Sequence, residues 1–305
     1  MSDINTLKPH PAAAPGNAEL FLGFLWLGLI GFGGVLPMAR SMLVERRRWL
    51  SSEQFTELLG LCQFLPGGNV INLSVAVGME FRGLRGALCA LLGLISAPTA
   101  IVVGLGVVYA RFQNDPHVQH VFAGLAAAAA GLLLSTGIKM LLPLRGKWPA
   151  LAIVALALIA IAWLRLPLLP THAGAGAAEH SSDVAVAVMS GVLMALALIF
   201  TELSLLAFGG GMTILPEMQR QVVEVHQWMS AQEFSALFAM AQAAPGPNMM
   251  IVPLVGWHVA GWAGLLVSSI AKFGPSSIVT LLVMGAWRRL RIARGAASCR
   301  PDWCR

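Results

Sequence analysis

The chain has 305 residues, of which 57% are hydrophobic and only 11% charged, with a formal net charge of +6 and a mean hydropathy of +0.75. A soluble domain carries about a quarter charged residues, so a water-soluble globule of this size is excluded. The Lys and Arg residues flank apolar runs instead of forming one stripe, which excludes a nucleic-acid surface and reads as positive loops facing the cytoplasm.

Residues 1–17 are polar and rich in Ala and Pro, and are expected to form an N-terminal segment outside the membrane. A basic start, short apolar core and cleavage site do not occur there in the order of a secretory signal. Phe21–Ala39, which follows at once, is therefore expected to be a retained helix. Further uncharged runs cover Gly86–Ala110, Val121–Ile138, Trp148–Leu164 and Val184–Thr201. Each approaches the ~20 residues that cross a bilayer as a helix. Hydrocarbon offers the backbone no hydrogen-bond partners, so such runs must satisfy their own N–H and C=O groups. They are continuous, whereas a β-barrel needs alternating strands. Cys62 and Cys89 fall in apolar segments, Cys299 and Cys304 in the polar tail, and none forms a CxxC pair. No metal or cofactor is expected.

The chain repeats itself. Phe32-Gly33-Gly34, Arg40, Trp49-Leu50-Ser51, Gln54-Phe55 and Gln63-Phe64-Leu65-Pro66-Gly67-Gly68-Asn69 recur in order. Their counterparts are Phe208-Gly209-Gly210, Arg220, Trp228-Met229-Ser230, Glu233-Phe234 and Gln242-Ala243-Ala244-Pro245-Gly246-Pro247-Asn248. Gly83, Gly86 and Pro98 keep register with Gly261, Gly264 and Pro275. The expected fold is an all-α polytopic membrane protein of two homologous helical repeats with broken or re-entrant helices. The repeats are assigned to residues 18–165 and 184–290, with a linker over 166–183.

In each repeat, two apolar segments too short to span alone flank a Pro/Gly interruption. These are Glu53–Leu65 and Asn69–Phe81 around Pro66-Gly67-Gly68, and Glu233–Ala244 and Asn248–His258 around Pro245-Gly246-Pro247. Proline lacks the N–H and glycine is too free to carry a helix through. Paired interruptions at matching positions of two membrane halves point to a transport site. A half-helix starting inside the membrane offers free N–H groups and a positive dipole end, which favour an anion. Candidate substrate-binding residues are thus Gly33, Gly34, Gln63, Pro66, Gly67, Gly68 and Asn69, with Gly209, Gly210, Gln242, Pro245, Gly246, Pro247 and Asn248. Asn69 and Asn248 are read equally well as caps of the half-helices, and the Phe-Gly-Gly glycines as close-packing positions.

Two charges lie in apolar surroundings. Lys272, beside Gly274-Pro275, is a candidate for neutralising substrate charge, with snorkelling to an interface as the alternative. Glu202 is the candidate for proton coupling, or a partner for a base such as Lys272.

Phe-Gly-Gly, the basic stretch closing in Arg46-Arg47-Arg48-Trp49-Leu50-Ser51, and Gln63–Asn69 resemble the first half of the chromate ion transporter family. Phe208–Gly211, His226–Phe234, Gln242–Asn248 and the Gly261–Gly264 and Gly274–Ser277 stretches resemble its second half. The likeness spans Leu20 to Leu290. It implies a plasma-membrane protein of bacteria that expels chromate, with sulfate as a similar anion. The expected partners are the oxyanion and the lipid bilayer, with homodimerisation left open. Against the family pattern, the last helices of the second repeat are expected to be missing, residues 291–305 forming a basic tail. No GxxxxGK[ST] motif is present, so transport is expected to be secondary. A membrane enzyme acting on a lipid pyrophosphate, using Glu53 and Glu57, and a non-transporting scaffold are the competing readings. For topology, re-entrant hairpins at the two interruptions are preferred, which makes the halves parallel; crossing segments would make them inverted.

Overall fold

The computed structural model describes residues 14–31, 35–112, 115–142, 145–146, 148, 151–152 and 182–298. Most of the expected crossing Trp148–Leu164, nearly all of the linker, the tail beyond Ser298, and Phe32, Gly33 and Gly34 lie outside those residues. Among the described residues there is no strand. The elements are α1 (Asn17–Ile30), α2 (Val35–Arg40) running into a π-helical turn (Ser41–Arg46), α3 (Ser52–Phe64), α4 (Asn69–Phe112) and α5 (Pro116–Leu141). They continue with α6 (Ser182–Leu206), a 3-10 turn (Gly211–Ile214), α7 (Leu215–Gln219) with its π-helical turn (Arg220–Val225), α8 (Ala231–Ala243) and α9 (Ile251–Ser298).

The internal repeat is written into the backbone. Both halves carry a π-helical turn at the same place, and Arg48 and Gln227 share a left-handed conformation (φ 52° and 51°). Ser51 and Ser230 start α3 and α8 with capping boxes. Each hydroxyl accepts from the third residue's N–H at 3.1 Å, while Gln54 or Glu233 accepts from the serine's own N–H. Two otherwise orphaned helix-start donors are satisfied this way in each half.

α4 and α9 are each two limbs. The first breaks at Arg82 and Gly83 (φ 60°, ψ −149°), the second at Ala260 and Gly261 (φ 56°, ψ −142°). The chain reverses at both breaks. Gly78 lies against the Gly86 carbonyl, and Gly256 against the Gly264 carbonyl and Ser268, at separations that leave no room for a Cβ. Limbs 69–81 and 84–112 thus lie side by side, as do 251–259 and 262–298.

The first apolar run is not one crossing, contrary to the expectation for Phe21–Ala39. Gly31 touches Val35, while Gly23 touches Met42 and Trp49, so α1 and α2 run antiparallel and both return to the same end of the bundle. Trp49 there meets Phe81 at 6.5 Å, and Arg82 donates to the Pro15 carbonyl at 2.8 Å. From this first face limb 84–112 rises beside α1, with Gly93 on Phe21 and Gly28 on Leu94 and Pro98. At 1.5 Å per residue it covers roughly 40 Å, more than the roughly 30 Å of bilayer hydrocarbon.

The interruptions are re-entrant, as preferred from the sequence, but the halves are inverted. Near the far end of limb 84–112, Gly106 packs on Leu254 and Trp257 of limb 251–259. Limb 262–298 returns to the first face, where Arg288 donates to the Met79 carbonyl at 3.3 Å. The second hairpin therefore enters from the opposite face. The physical reason is the reversal between α1 and α2: it makes them a second re-entrant pair and removes one crossing from the count that made the halves parallel.

The core lies where the halves meet and includes Phe24, Leu27, Leu94, Phe200, Leu203 and Met250, all fully buried. Outward-facing Trp262, Ile270 and Leu282 are each more than two-thirds exposed. Such a belt is stable against lipid and costly against water. α4, α6 and α9 are long and apolar enough to cross a membrane.

Candidate functional site: the crossed helix breaks

The two Pro/Gly interruptions meet the opposite halves reciprocally. Gly67 N–H donates to the Ala207 carbonyl at 3.0 Å, and Gly246 N–H donates to the Gly31 carbonyl at 3.1 Å. Ala207 and Gly31 each precede a Phe-Gly-Gly element, so the two bonds are related by the repeat. Gly67 (φ 112°) and Gly246 (φ 126°) hold conformations that L side chains rarely adopt. A Cβ on Gly67 would stand 2.6 Å from the Ser276 Cβ, and one on Gly246 2.6 Å from the Pro98 Cβ. Each break is thus wedged against the long limb of the other repeat.

Around the first break the polar groups converge. Limb 69–81 begins here, and its first N–H groups have no intrahelical acceptor. Asn72 is fully buried, with its Nδ2 on the Pro66 carbonyl at 3.0 Å. The Oδ1 atoms of Asn69 and Asn72 and the hydroxyl of Ser277 are buried without hydrogen-bond partners. Asn69 does not act as a cap through Oδ1, and its Nδ2 faces Gly210 (φ 116°), 3.8 Å from where that residue's Cβ would be. Thr213 braces the Phe208–Gly210 turn, donating to the Gly210 carbonyl at 2.8 Å. Buried polar atoms normally have partners; here the two asparagine oxygens lack one beside a helix start.

The second break is drier. Pro245, Gly246 and Pro247 are buried but Asn248 is exposed, and the helix resumes only at Ile251 instead of Asn248. Residues 248–250 form a turn in which Met249 fills the space over Gly211, and Met250 lies 3.8 Å from the Thr99 hydroxyl. Of the other sequence candidates, Gln63 and Gly209 are exposed, and Gln242 places Nε2 3.8 Å from the Met212 sulfur. Gly33 and Gly34 lie outside the described residues.

Lys272 is 1% exposed and donates from Nζ to the Leu203 carbonyl at 3.0 Å. That carbonyl belongs to the last turn of α6, where helical acceptors have no N–H of their own. The ammonium therefore caps the negative end of α6 just before Ala207. Ser204 tightens the same joint, donating to the Lys272 carbonyl and accepting from the Ser276 N–H at 3.3 Å. Glu202 is exposed on α6 and does not pair with Lys272; it lies within electrostatic reach of Arg220. Glu53 and Glu57 are exposed.

Sequence reasoning missed Asn72, Ser204 and Ser277. Asn72 was findable, one helical turn beyond Asn69 and hence on its face. Ser204 was not, since nothing local announces that it bridges two helices.

Paired helix breaks buried at the meeting of two inverted repeats define a polytopic membrane transport protein. The chain belongs to the chromate transporter family, whose pattern it matches over residues 18–179 and 194–299. It is 29% identical to a probable chromate transport protein of Synechococcus elongatus and 27% identical to the chromate transport protein of Cupriavidus metallidurans. Both alignments cover 92% of this chain and 79% of the relative. It is also 27% identical to a chromate transport protein of Pseudomonas aeruginosa, over 90% of this chain and 73% of that one. No solved structure matches the chain.

Proposed function

We propose that this chain is a secondary transporter that exports chromate across the bacterial plasma membrane, sulfate being the related anion able to compete. The observation that carries the reading is the first break. A helix start with free N–H groups, the Asn69 amide donor and the Gly210 backbone converge there, inside a seam shared by both repeats. An oxyanion would take the free N–H groups at the start of limb 69–81, with Asn69 turning its amide donor inward. Lys272 would act one step back, holding the end of α6 and lending positive potential.

Arg40, Arg46, Arg47, Arg48, Arg82, Arg85 and Arg288 all stand at the first face, which the positive-inside rule assigns to the cytoplasm. A doubly charged anion leaving a negative-inside cell gains about 2.3 kcal/mol per charge per 100 mV, so the potential assists export. Glu202, exposed on α6 within electrostatic reach of Arg220, is the proposed proton-coupling group.

The test is uptake of labelled chromate into inside-out vesicles, with sulfate as competitor. Asn69→Ala should cut the rate while leaving stability near wild type, and Asn72→Ala, which also strips the Pro66 carbonyl of its donor, should cut the rate and lower the unfolding midpoint. Chromate accumulation equal to wild type in both variants would remove the first break from the pathway.

A further inference from the structure

The α1–α2 hairpin of the first repeat encloses a cavity. Between α1 and α2 lies a space of about 320 Å³, walled by Trp26, Leu27 and Ile30 on one arm and Met38 and Met42 on the other. Arg46 and Arg47 close one end and are exposed at the first face. The Arg47 guanidinium lies 5.7 Å over the Trp49 ring, which holds it in place. Trp26 is 56% exposed, so the cavity opens sideways toward lipid.

The matching π-helical turns and left-handed residues set Met38, Ser41 and Met42 opposite Glu217, Arg220 and Gln221, so Ser41, and not Arg40 as expected from the sequence, is the counterpart of Arg220. In the second hairpin those three residues bond to one another in a polar cluster. Arg220 makes two hydrogen bonds to the Glu217 carboxylate, at 2.6 and 2.9 Å, and Gln221 donates to it at 2.9 Å. Arg46 and Arg47 are replaced there by Val225 and His226. Where the second repeat carries this polar cluster, the first carries Met38, Ser41 and Met42 on the wall of the slot, with Arg46 and Arg47 at its end.

We infer that this slot is a binding site for an anionic phospholipid, its phosphate held by Arg46 and Arg47 and an acyl chain lying against Trp26, Ile30 and Met38. A small inorganic anion does not fit, because the walls offer it almost no donors; the Ser41 hydroxyl is already given to Glu45 at 2.9 Å. Glu45 offsets part of the local charge, but Arg46, Arg47 and Arg48 outnumber it. Basic pockets between membrane helices on the cytoplasmic side favour anionic headgroups, and the site is independent of the crossed breaks.

The experiment is native mass spectrometry of the full chain released from nanodiscs of mixed phosphatidylglycerol and phosphatidylcholine, backed by thermal shifts with each lipid. Wild type should retain phosphatidylglycerol over phosphatidylcholine by about tenfold or more. Arg46→Gln/Arg47→Gln should abolish the preference, and Met38→Trp should expel lipid with both arginines still present. Arg85→Gln, removing an exposed charge of the same face, should change nothing. Equal retention of the two lipids, an unchanged preference in the double variant, loss of preference in Arg85→Gln, or displacement by inorganic phosphate would each overturn the assignment.

Discussion

Replacing Gly67 with alanine tests the crossed breaks most directly. The new methyl would sit 2.6 Å from the Ser276 Cβ and 3.0 Å from the Asn72 Oδ1, on a backbone with φ 112°. Holding a non-glycine residue in so sparsely populated a conformation costs about 1–3 kcal/mol, and overpacking a tight interior adds about 1–3 kcal/mol. The combined loss, about 2–6 kcal/mol, is a large part of the 5–15 kcal/mol that typically separates native from unfolded protein. Relief requires the break to move off limb 262–298, which stretches the Gly67 bond to Ala207. Gly67→Ala should therefore lower both the thermal midpoint in detergent and the chromate transport rate, and Gly246→Ala, facing Pro98, should do the same. Gly60→Ala is the internal control. It lies in α3 with nothing within 4 Å of its added methyl, so it should be neutral or gain up to about 1 kcal/mol of helix propensity. Unfolding and transport by Gly67→Ala indistinguishable from Gly60→Ala would refute the wedge.

Lys272→Met keeps the stem but strips the cap from the Leu203 carbonyl; an unmade buried hydrogen bond predicts a loss of about 1–3 kcal/mol in thermal or denaturant unfolding. Asn69→Ala removes an oxygen without a partner, so its unfolding midpoint should stay near wild type while vesicle transport falls. Ser230→Ala should cost about 1 kcal/mol through loss of the α8 cap, read by equilibrium unfolding. The Glu233 carboxyl is held below its usual range by the Ser230 N–H and hydroxyl. Its contribution is complete above the ordinary carboxylate pKa and disappears as pH falls through the depressed value. Between about pH 5 and about pH 3, Glu233→Gln should lose less stability than wild type when unfolding is followed at each pH.

The amino-acid pattern alone determined the class of the molecule, because hydrophobic length, scarcity of charge and recurrence of motifs are properties of a one-dimensional string. It also located both interruptions, since Pro66-Gly67-Gly68 and Pro245-Gly246-Pro247 break a helix by covalent geometry wherever they are placed. What surrounds those interruptions depended on tertiary structure. No local signal pairs Gly67 with Ala207 or Gly246 with Gly31, residues far apart in the chain that meet only after both halves have packed. The inverted arrangement followed from the turning back of α1 and α2, which hydropathy cannot distinguish from one straight crossing: both leave Phe21–Ala39 apolar. The role of Lys272 likewise waited on the fold, because a buried ammonium takes whichever acceptor packing brings within reach. In this chain that acceptor is the Leu203 carbonyl rather than the Glu202 carboxylate beside it in sequence, since successive residues of a helix point in different directions.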